Sequence, residues 1–413
     1  MSRIIKPQLT PMMEFLLACL SKEHSESKMD FGVFVNQSSF DWNTFIKLVQ
    51  RHRVFPEVYG YLKNCPPLKV PENIYQTIKG RFERNLQHAL KLSAELVRLC
   101  KLFEESNIWV LSLKGPPLAL ELNGNLGLRH AGDIDLLIDK SNIRMSDQLL
   151  QEKGYQCLYE NIFQSQKRVD RFIKTYHHFT YHHLEYKITL DLHWRLFANP
   201  LFLPLDLQQI GNKLRSVTIA ETEVKTLPNE LNFLYLCAHG SHHNWFRLFW
   251  LNDISKILHN KPSLITTNLV ELSSRLNARR SLILGCVLAN KLLGATVPDF
   301  VFSIAEKNNV VCRLTNSTIR DLIQPTNKLD QSGLDRIKNS WNETLLSKKL
   351  KFKIGTLYSF SISPLDFQIM NIPDKLFLFY YLLRPFSILL SLLSVKKYFV
   401  PSGNKDINAK NCK

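Results

Sequence analysis

The chain is 413 residues long, enough for a sizeable core and two or three structural units. Its 45% hydrophobic and 22% charged residues give the balance of a folded globular protein and exclude an intrinsically disordered one. The formal net charge of +17 favours anionic partners, whether nucleotide, nucleic acid or an acidic membrane face, although a solvated basic surface accounts for many of the lysines one by one.

The first apolar stretch, Met12 to Leu20, is short, carries Glu14 and lacks a small-residue cleavage site, so no signal peptide is expected. From Asp41 to Glu104, apolar residues recur every three or four positions, which predicts helices. Leu86, Leu90, Leu96, Leu99 and Phe103 are expected to share one broad face, and Pro66, Pro67 and Pro71 separate the helices. At Ile108 the pattern switches. IWVLSL predicts a short buried strand, Lys114-Gly115-Pro116-Pro117 a turn, Leu118 to Leu122 a short helix, and DIDLLID (Asp133 to Asp139) a second strand. Ser141 to Gly154 predicts a helix capped by Ser141 and terminated by Gly154.

His178 to Trp194 predicts two further strands, of which KITLDLHW alternates clearly. From Pro228 the pattern is helical almost to the end. Leu376 to Val395 is long enough to span a bilayer, but Arg384-Pro385 at its middle favours a helix pair packed on the protein or an interfacial helix. The expected fold class is α+β. Its parts are an N-terminal helical region (1–104), a mixed core (105–227), a helical domain (228–395) and a basic tail (396–413) that frays.

Side-chain direction carries the chemistry. Residues two apart in a strand point the same way, so Asp133 and Asp135 share a face opposite Ile134, Leu136 and Ile138. In KITLDLHW, Ile188, Leu190, Leu192 and Trp194 form the apolar face, and Lys187, Thr189, Asp191 and His193 the polar one. If the two strands are neighbours, Asp133, Asp135 and Asp191 converge at one edge of a sheet. Three such carboxylates repel one another unless cations neutralise them, and hard oxygen ligands suit Mg²⁺ or Mn²⁺. Two ions of this kind activate an attacking hydroxyl and stabilise a leaving pyrophosphate, which is the chemistry of nucleotidyl transfer.

The bland alternative for an Asp-x-Asp is a strand end with two solvated carboxylates. Asp191 is either the third ligand or the group that takes the hydroxyl proton. His193, on the same face, orients Asp191 or touches substrate. Lys114 can meet a phosphate, and Gly115 permits close backbone approach. Arg129 either clamps a triphosphate or makes a local salt bridge to Asp133 or Asp135.

LSLKGPPLALELNGNLGLRHAGDIDLLI, ITLDLHWRL, LCAHGSHHNWFRLFWLNDISKIL and IPDKLFLFYYLLRPF, in that order, resemble the signatures of the uncharacterised nucleotidyltransferase family, over roughly residues 42–390. The resemblance implies a DNA-polymerase-β-like nucleotidyltransferase fold, a small mixed sheet flanked by helices. It also implies Asp133 and Asp135 as metal ligands and Asp191 as the third carboxylate. Lys114-Gly115 stands where the wider superfamily has a Gly-Ser turn, and the gap from that turn to Asp133 is longer than usual. Both departures leave room for a catalytically degenerate binding or regulatory module. The expected substrates are a nucleoside triphosphate, as NMP donor, and a hydroxyl-bearing acceptor that family membership does not identify.

His177-His178 and His182-His183 flank the expected hairpin. His239, His242 and His243 lie on or beside a helix. The i, i+4 spacing of His239 and His243 suits a separate metal-dependent phosphohydrolase site; alternatively, the cluster docks the helical domain onto the sheet, with Asp253 paired to Arg247 or a helix end. The basic run SKKLKFK holds one aromatic, Phe352, too little to predict a nucleic-acid groove. Peripheral membrane contact through the C-terminal apolar segment is an open expectation. Eight scattered cysteines, none in a Cys-x-x-Cys pair, give no zinc or disulfide framework and fit a reducing cytoplasm.

Overall fold

The computed structural model describes residues 4–21, 40–64, 70–324 and 333–360, together with residues 366, 372, 374–376, 379–384 and 386. Helix α1 (Pro11–Leu20) follows Thr10, whose hydroxyl accepts from the Met13 N–H. Helix α2 (Trp42–His52) starts at Asp41, whose carboxylate accepts from the Asn43 N–H, and stops at Arg53 in the left-handed region. Helix α3 (Phe55–Asn64) leads to the long α4 (Glu72–Glu105), which begins directly after Pro71. Leu96, Leu99 and Phe103 are buried on α4 as expected, but Leu90 is exposed. At about 100° per residue Leu90 lies on the opposite side of the helix from Leu99, so the broad face does not extend to it.

The centre holds β1 (Val110–Ser112), α5 (Pro116–Asn123), β2 (Ile134–Ile138), α6 (Ile143–Glu152), β3 (Tyr155–Cys157), α7 (Gln166–Thr175), β4 (His178–His183), β5 (Ile188–His193), β6 (Arg215–Ile219) and β7 (Thr222–Thr226). They form one sheet in the order β3-β4-β5-β2-β1-β7-β6. Strand β2 runs parallel to β5, and β1 parallel to β7; the other pairs are antiparallel. The sheet is therefore mixed and flanked by helices, the α+β architecture read from the sequence.

Three strands escape the sequence pattern. Strand β3 is only three residues long. Strands β6 and β7 are joined by Ala220 and Glu221, both at positive φ (46° and 65°), a hairpin turn without the Asn or Gly that usually announces it. The expected Ser141 cap is also replaced. Asp139 accepts from the Ser141 N–H at 2.8 Å and from its hydroxyl at 2.6 Å, and α6 starts after that turn. A carboxylate is the stronger acceptor, and it sits two residues earlier.

The helical part continues with α8 (Asn229–His242), α9 (Leu248–Asn260), α10 (Thr267–Arg275), α11 (Arg279–Leu293), α12 (Asp299–Glu306), α13 (Asn309–Ile323), α14 (Gly333–Thr344) and α15 (Leu350–Ser359). Helix α11 is buried without interruption from Ser281 to Ala289, as a helix packed on every side must be. Gly240 on α8 and Gly285 on α11 make room for the Trp245 indole; a Cβ at Gly240 would come within 2.4 Å of that ring.

The two faces of the sheet meet different cores. Ile134, Leu136, Ile138, Leu190 and Leu192 pack with α4, α6 and α7. Leu111 and Leu137 belong to the cluster containing α1–α3 and α8–α13. Asp135 has the parity of Leu137, so the carboxylate face is turned towards the helical part rather than towards open solvent.

Cys19, Cys100, Cys157, Cys237, Cys286 and Cys312 are free and buried. Among the described residues, no helix is long and apolar enough to cross a membrane. Most of the apolar segment Leu376 to Val395, and all of the tail 396–413, lies outside the described residues; Leu376, Phe379, Leu382 and Phe386 within it are exposed.

Candidate active site

Strand pairing assembles the site. Asp135 sits opposite Asp191 in the parallel β2–β5 ladder, and Thr180 sits opposite Asp191 in the antiparallel β4–β5 ladder. Asp133 lies immediately before β2. Asp135 is almost fully buried: His193 Nε2 donates to its Oδ1 at 3.3 Å, and the Lys114 ammonium lies 3.2 Å from Oδ2. That ion pair is not aligned as a hydrogen bond, so Oδ2 is a buried oxygen without one. The Thr180 hydroxyl donates to Asp191 Oδ1 at 2.7 Å. His193 thus supports Asp135, and Thr180 takes the part of orienting Asp191 that the sequence offered to His193.

Crowding sets the electrostatics. Burial pushes the Asp135 carboxyl up, but Lys114 and His193 pull it down to about 2. Burial, with Asp133 and Asp135 next to it, raises Asp191 to about 7. Burial opposes the Lys114 charge, yet the three aspartates hold the ammonium well above its ordinary range. His177, His178, His239 and His243 are kept neutral chiefly by burial.

These groups surround a cavity of about 340 Å³, inside the size range of ligand pockets, about 300–1,000 Å³. Lys114, Gly115, Asp133, Asp135, Asp191 and His193 line it from the sheet side. Tyr235, His239, His243 and Trp250 line it from α8 and α9. Gly115 has φ +75°, a conformation that favours glycine, where the chain turns from β1 into α5. Lys114 Nζ also reaches His239 Nε2 at 3.4 Å, tying the two walls together.

Among the described residues, two groups of side chains have ligand atoms within 4.8 Å of one another: Asp135, Asp191 and His193, and His177, His178 and His193. Asp133 lines the cavity outside both groups. His239, His242 and His243 form no such group among the described residues. They face the same cavity as the carboxylates: the His243 ring stacks on Trp250 at 5.1 Å, His239 meets Trp250 edge-on, and His242 Nδ1 lies 2.7 Å from Glu343 Oε2.

Arg129 lines the same cavity, and its ion pair is not the local one the sequence offered. Its Nε and Nη2 donate to Asp253 on α9 at 2.9 and 2.8 Å, with both side chains buried. The local salt bridge to Asp133 or Asp135 is not made, and Asp253 is taken up by Arg129 rather than by Arg247. In a low-dielectric position a guanidinium takes the carboxylate that offers two parallel hydrogen bonds, and Asp253 offers both. Thr180, Tyr235 and Trp250 were not singled out by the sequence. Only Thr180 had a usable signal: counting back across the Leu184–Lys187 connection places it opposite Asp191.

No curated protein and no solved structure matches the chain. The model of one family, described as uncharacterised nucleotidyltransferase, matches residues 38–294, which include α2 to α11 and the whole sheet; the C-terminal signature at IPDKLFLFYYLLRPF lies beyond the match. That span is more than half of the chain and holds every aspartate of the site, so this protein belongs to the uncharacterised nucleotidyltransferase family.

Proposed function

We propose that the protein transfers a nucleoside monophosphate from a nucleoside triphosphate to a hydroxyl-bearing acceptor, with Mg²⁺ or Mn²⁺ held by Asp133, Asp135 and Asp191. The observation that carries this reading is the parallel β2–β5 ladder, which sets Asp135 against Asp191 on the floor of the cavity. The donor set fits a hard dication: two carboxylates lie close together, and Asp135 Oδ2 is buried without a hydrogen bond. When bound, such an ion supplies charge neutralisation for the triphosphate and lowers the pKa of an attacking hydroxyl.

The chain's own groups divide the remaining work. In transfer, an acceptor oxygen bonds to the α-phosphorus and pyrophosphate leaves. Asp191, set opposite Asp135, is either the third metal ligand or the group that takes the acceptor proton. Lys114 places a permanent positive charge at the cavity wall for phosphate oxygens. The turn itself offers few backbone donors, because Pro116 and Pro117 carry no N–H. His193 holds Asp135 in place from below.

A specific observation favours a second reading, a degenerate binding module. Arg129 is consumed by Asp253, and Lys114 is engaged by Asp135, so the cations closest to the site already have anionic partners. Calorimetry with a nucleoside triphosphate and Mg²⁺ separates the two readings. The transfer reading expects Mg²⁺-dependent binding that is lost in Asp133→Ala/Asp135→Ala, together with pyrophosphate release once an acceptor is supplied. A folded double variant that binds and turns over nucleotide like the wild type would sink it; no binding by the wild type favours the module.

A further inference from the structure

We infer that His177, His178 and His193 form a binding site for a borderline transition-metal dication of the Zn²⁺ or Co²⁺ class, beside the carboxylates rather than on them. The β4–β5 hairpin builds it. His178 pairs with His193 in register, and His177 directly precedes β4, its carbonyl accepting from the Trp194 N–H at 3.0 Å. One nitrogen of each ring lies within 4.8 Å of the others. His178 Nδ1 and His177 Nε2 are 3.1 Å apart. That is close to the edge, ~3.3 Å, of a tetrahedron around an ion with metal–nitrogen bonds of 2.0–2.1 Å.

The bland explanation is a set of core histidines, and the hydrogen bond between His177 Nε2 and His178 Nδ1 fits it, but His177 has a second nitrogen to place. Its Nδ1 is buried with no hydrogen-bond partner, whereas buried polar atoms are nearly always paired. Imidazole nitrogens suit zinc, cobalt and their neighbours, while Mg²⁺ prefers oxygen and keeps its waters. The imidazole site and the carboxylate site therefore differ in the ion they select. They share His193, whose Nε2 touches Asp135 Oδ1. The inference needs only the hairpin and is independent of the transfer reaction.

The full-length chain, stripped by chelation, is titrated with Zn²⁺ in excess Mg²⁺ by calorimetry, and with Co²⁺ by visible absorption. We expect one Zn²⁺ bound despite the Mg²⁺, and Co²⁺ bands characteristic of nitrogen ligation. His177→Gln/His178→Gln should weaken Zn²⁺ by more than about 100-fold, beyond the ten- to hundredfold of a lost outer partner. His182→Gln, on β4 outside the triad, should bind like the wild type. If circular dichroism shows the double variant unfolded, His177→Gln alone carries the test. A wild type that takes up no Zn²⁺ against Mg²⁺, or folded histidine variants that bind it unchanged, overturns the site. Nucleotide binding in Mg²⁺ is scored separately, so its failure counts against the transfer reading and leaves the zinc result standing.

Discussion

The sheet wall and the helical wall of the cavity both carry buried charge, yet they dispose of it differently. On the helical wall, Asp253 of α9 meets Arg129 in a bidentate pair that neutralises both groups. On the sheet wall, Asp133, Asp135 and Asp191 face one ammonium, Lys114, and Asp191 is forced up to about 7. Paired charge of the first kind docks one layer onto another. Unbalanced charge of the second kind is held against its own repulsion by strand register, which is how a fold keeps a reactive site it would not otherwise tolerate.

The sharpest way to break this contrast is to unpair the helical wall. Asp253→Ala leaves the Arg129 guanidinium buried alone and should cost about 3–5 kcal/mol in urea unfolding. Replacing both partners, as Arg129→Met/Asp253→Leu, should cost less than either single change; an additive cycle would show that the pair is not a unit. The sheet wall should respond in the opposite sense. Asp191→Asn removes a carboxylate whose charge is disfavoured by burial and by Asp133 and Asp135, so the melting temperature should not fall. Transfer activity should still drop by about 10²–10³-fold, the scale for losing one preorganised charged group. A variant that is less stable but fully active would reverse the assignment.

Smaller effects test the packing that holds the helical wall. In Gly240→Ala the new Cβ meets the Trp245 ring, and overpacking of this kind should cost about 1–3 kcal/mol by thermal unfolding. The smallest effect is on pH. His52, buried beside Arg51 and Arg247, has its pKa lowered well below the usual value, chiefly by burial, while its Nδ1 accepts from the Leu248 N–H. The unfolded chain takes up a proton near pH 6.5 and the folded chain does not. This contribution is therefore complete above that pH and is lost as the pH falls below it, by at most about 1.4 kcal/mol per pH unit. His52→Gln should flatten the slope of stability against pH in that range; an unchanged slope would assign it to the cavity histidines alone.

How legible the molecule was depended on the range of the interaction. The alternation of KITLDLHW named Asp191 and His193 as face-sharing residues, and the ladder bears this out. The parity of DIDLLID likewise separated Asp135 from Leu136 and Ile138, which now lie in different layers. The cap at Asp139 and the β6–β7 turn were misread or missed because their chemistry is unusual: a carboxylate outcompeted Ser141, and Ala220-Glu221 adopt positive φ without glycine or asparagine. The Asp253 partner of Arg129 was not foreseen because it lies 124 residues away on α9.

Sequence alone therefore determined the strands that carry Asp135 and Asp191, the face these two occupy and the family signatures in which all three aspartates stand. These follow from period-two alternation and local motif, which need no knowledge of the rest of the chain. The folded arrangement alone settled that the carboxylate face is roofed by α8 and α9, that Arg129 pairs with Asp253, and that His177 and His178 stand beside His193. Each of these rests on side chains brought together across different layers or strands, where burial and low dielectric, rather than local pattern, choose the partner.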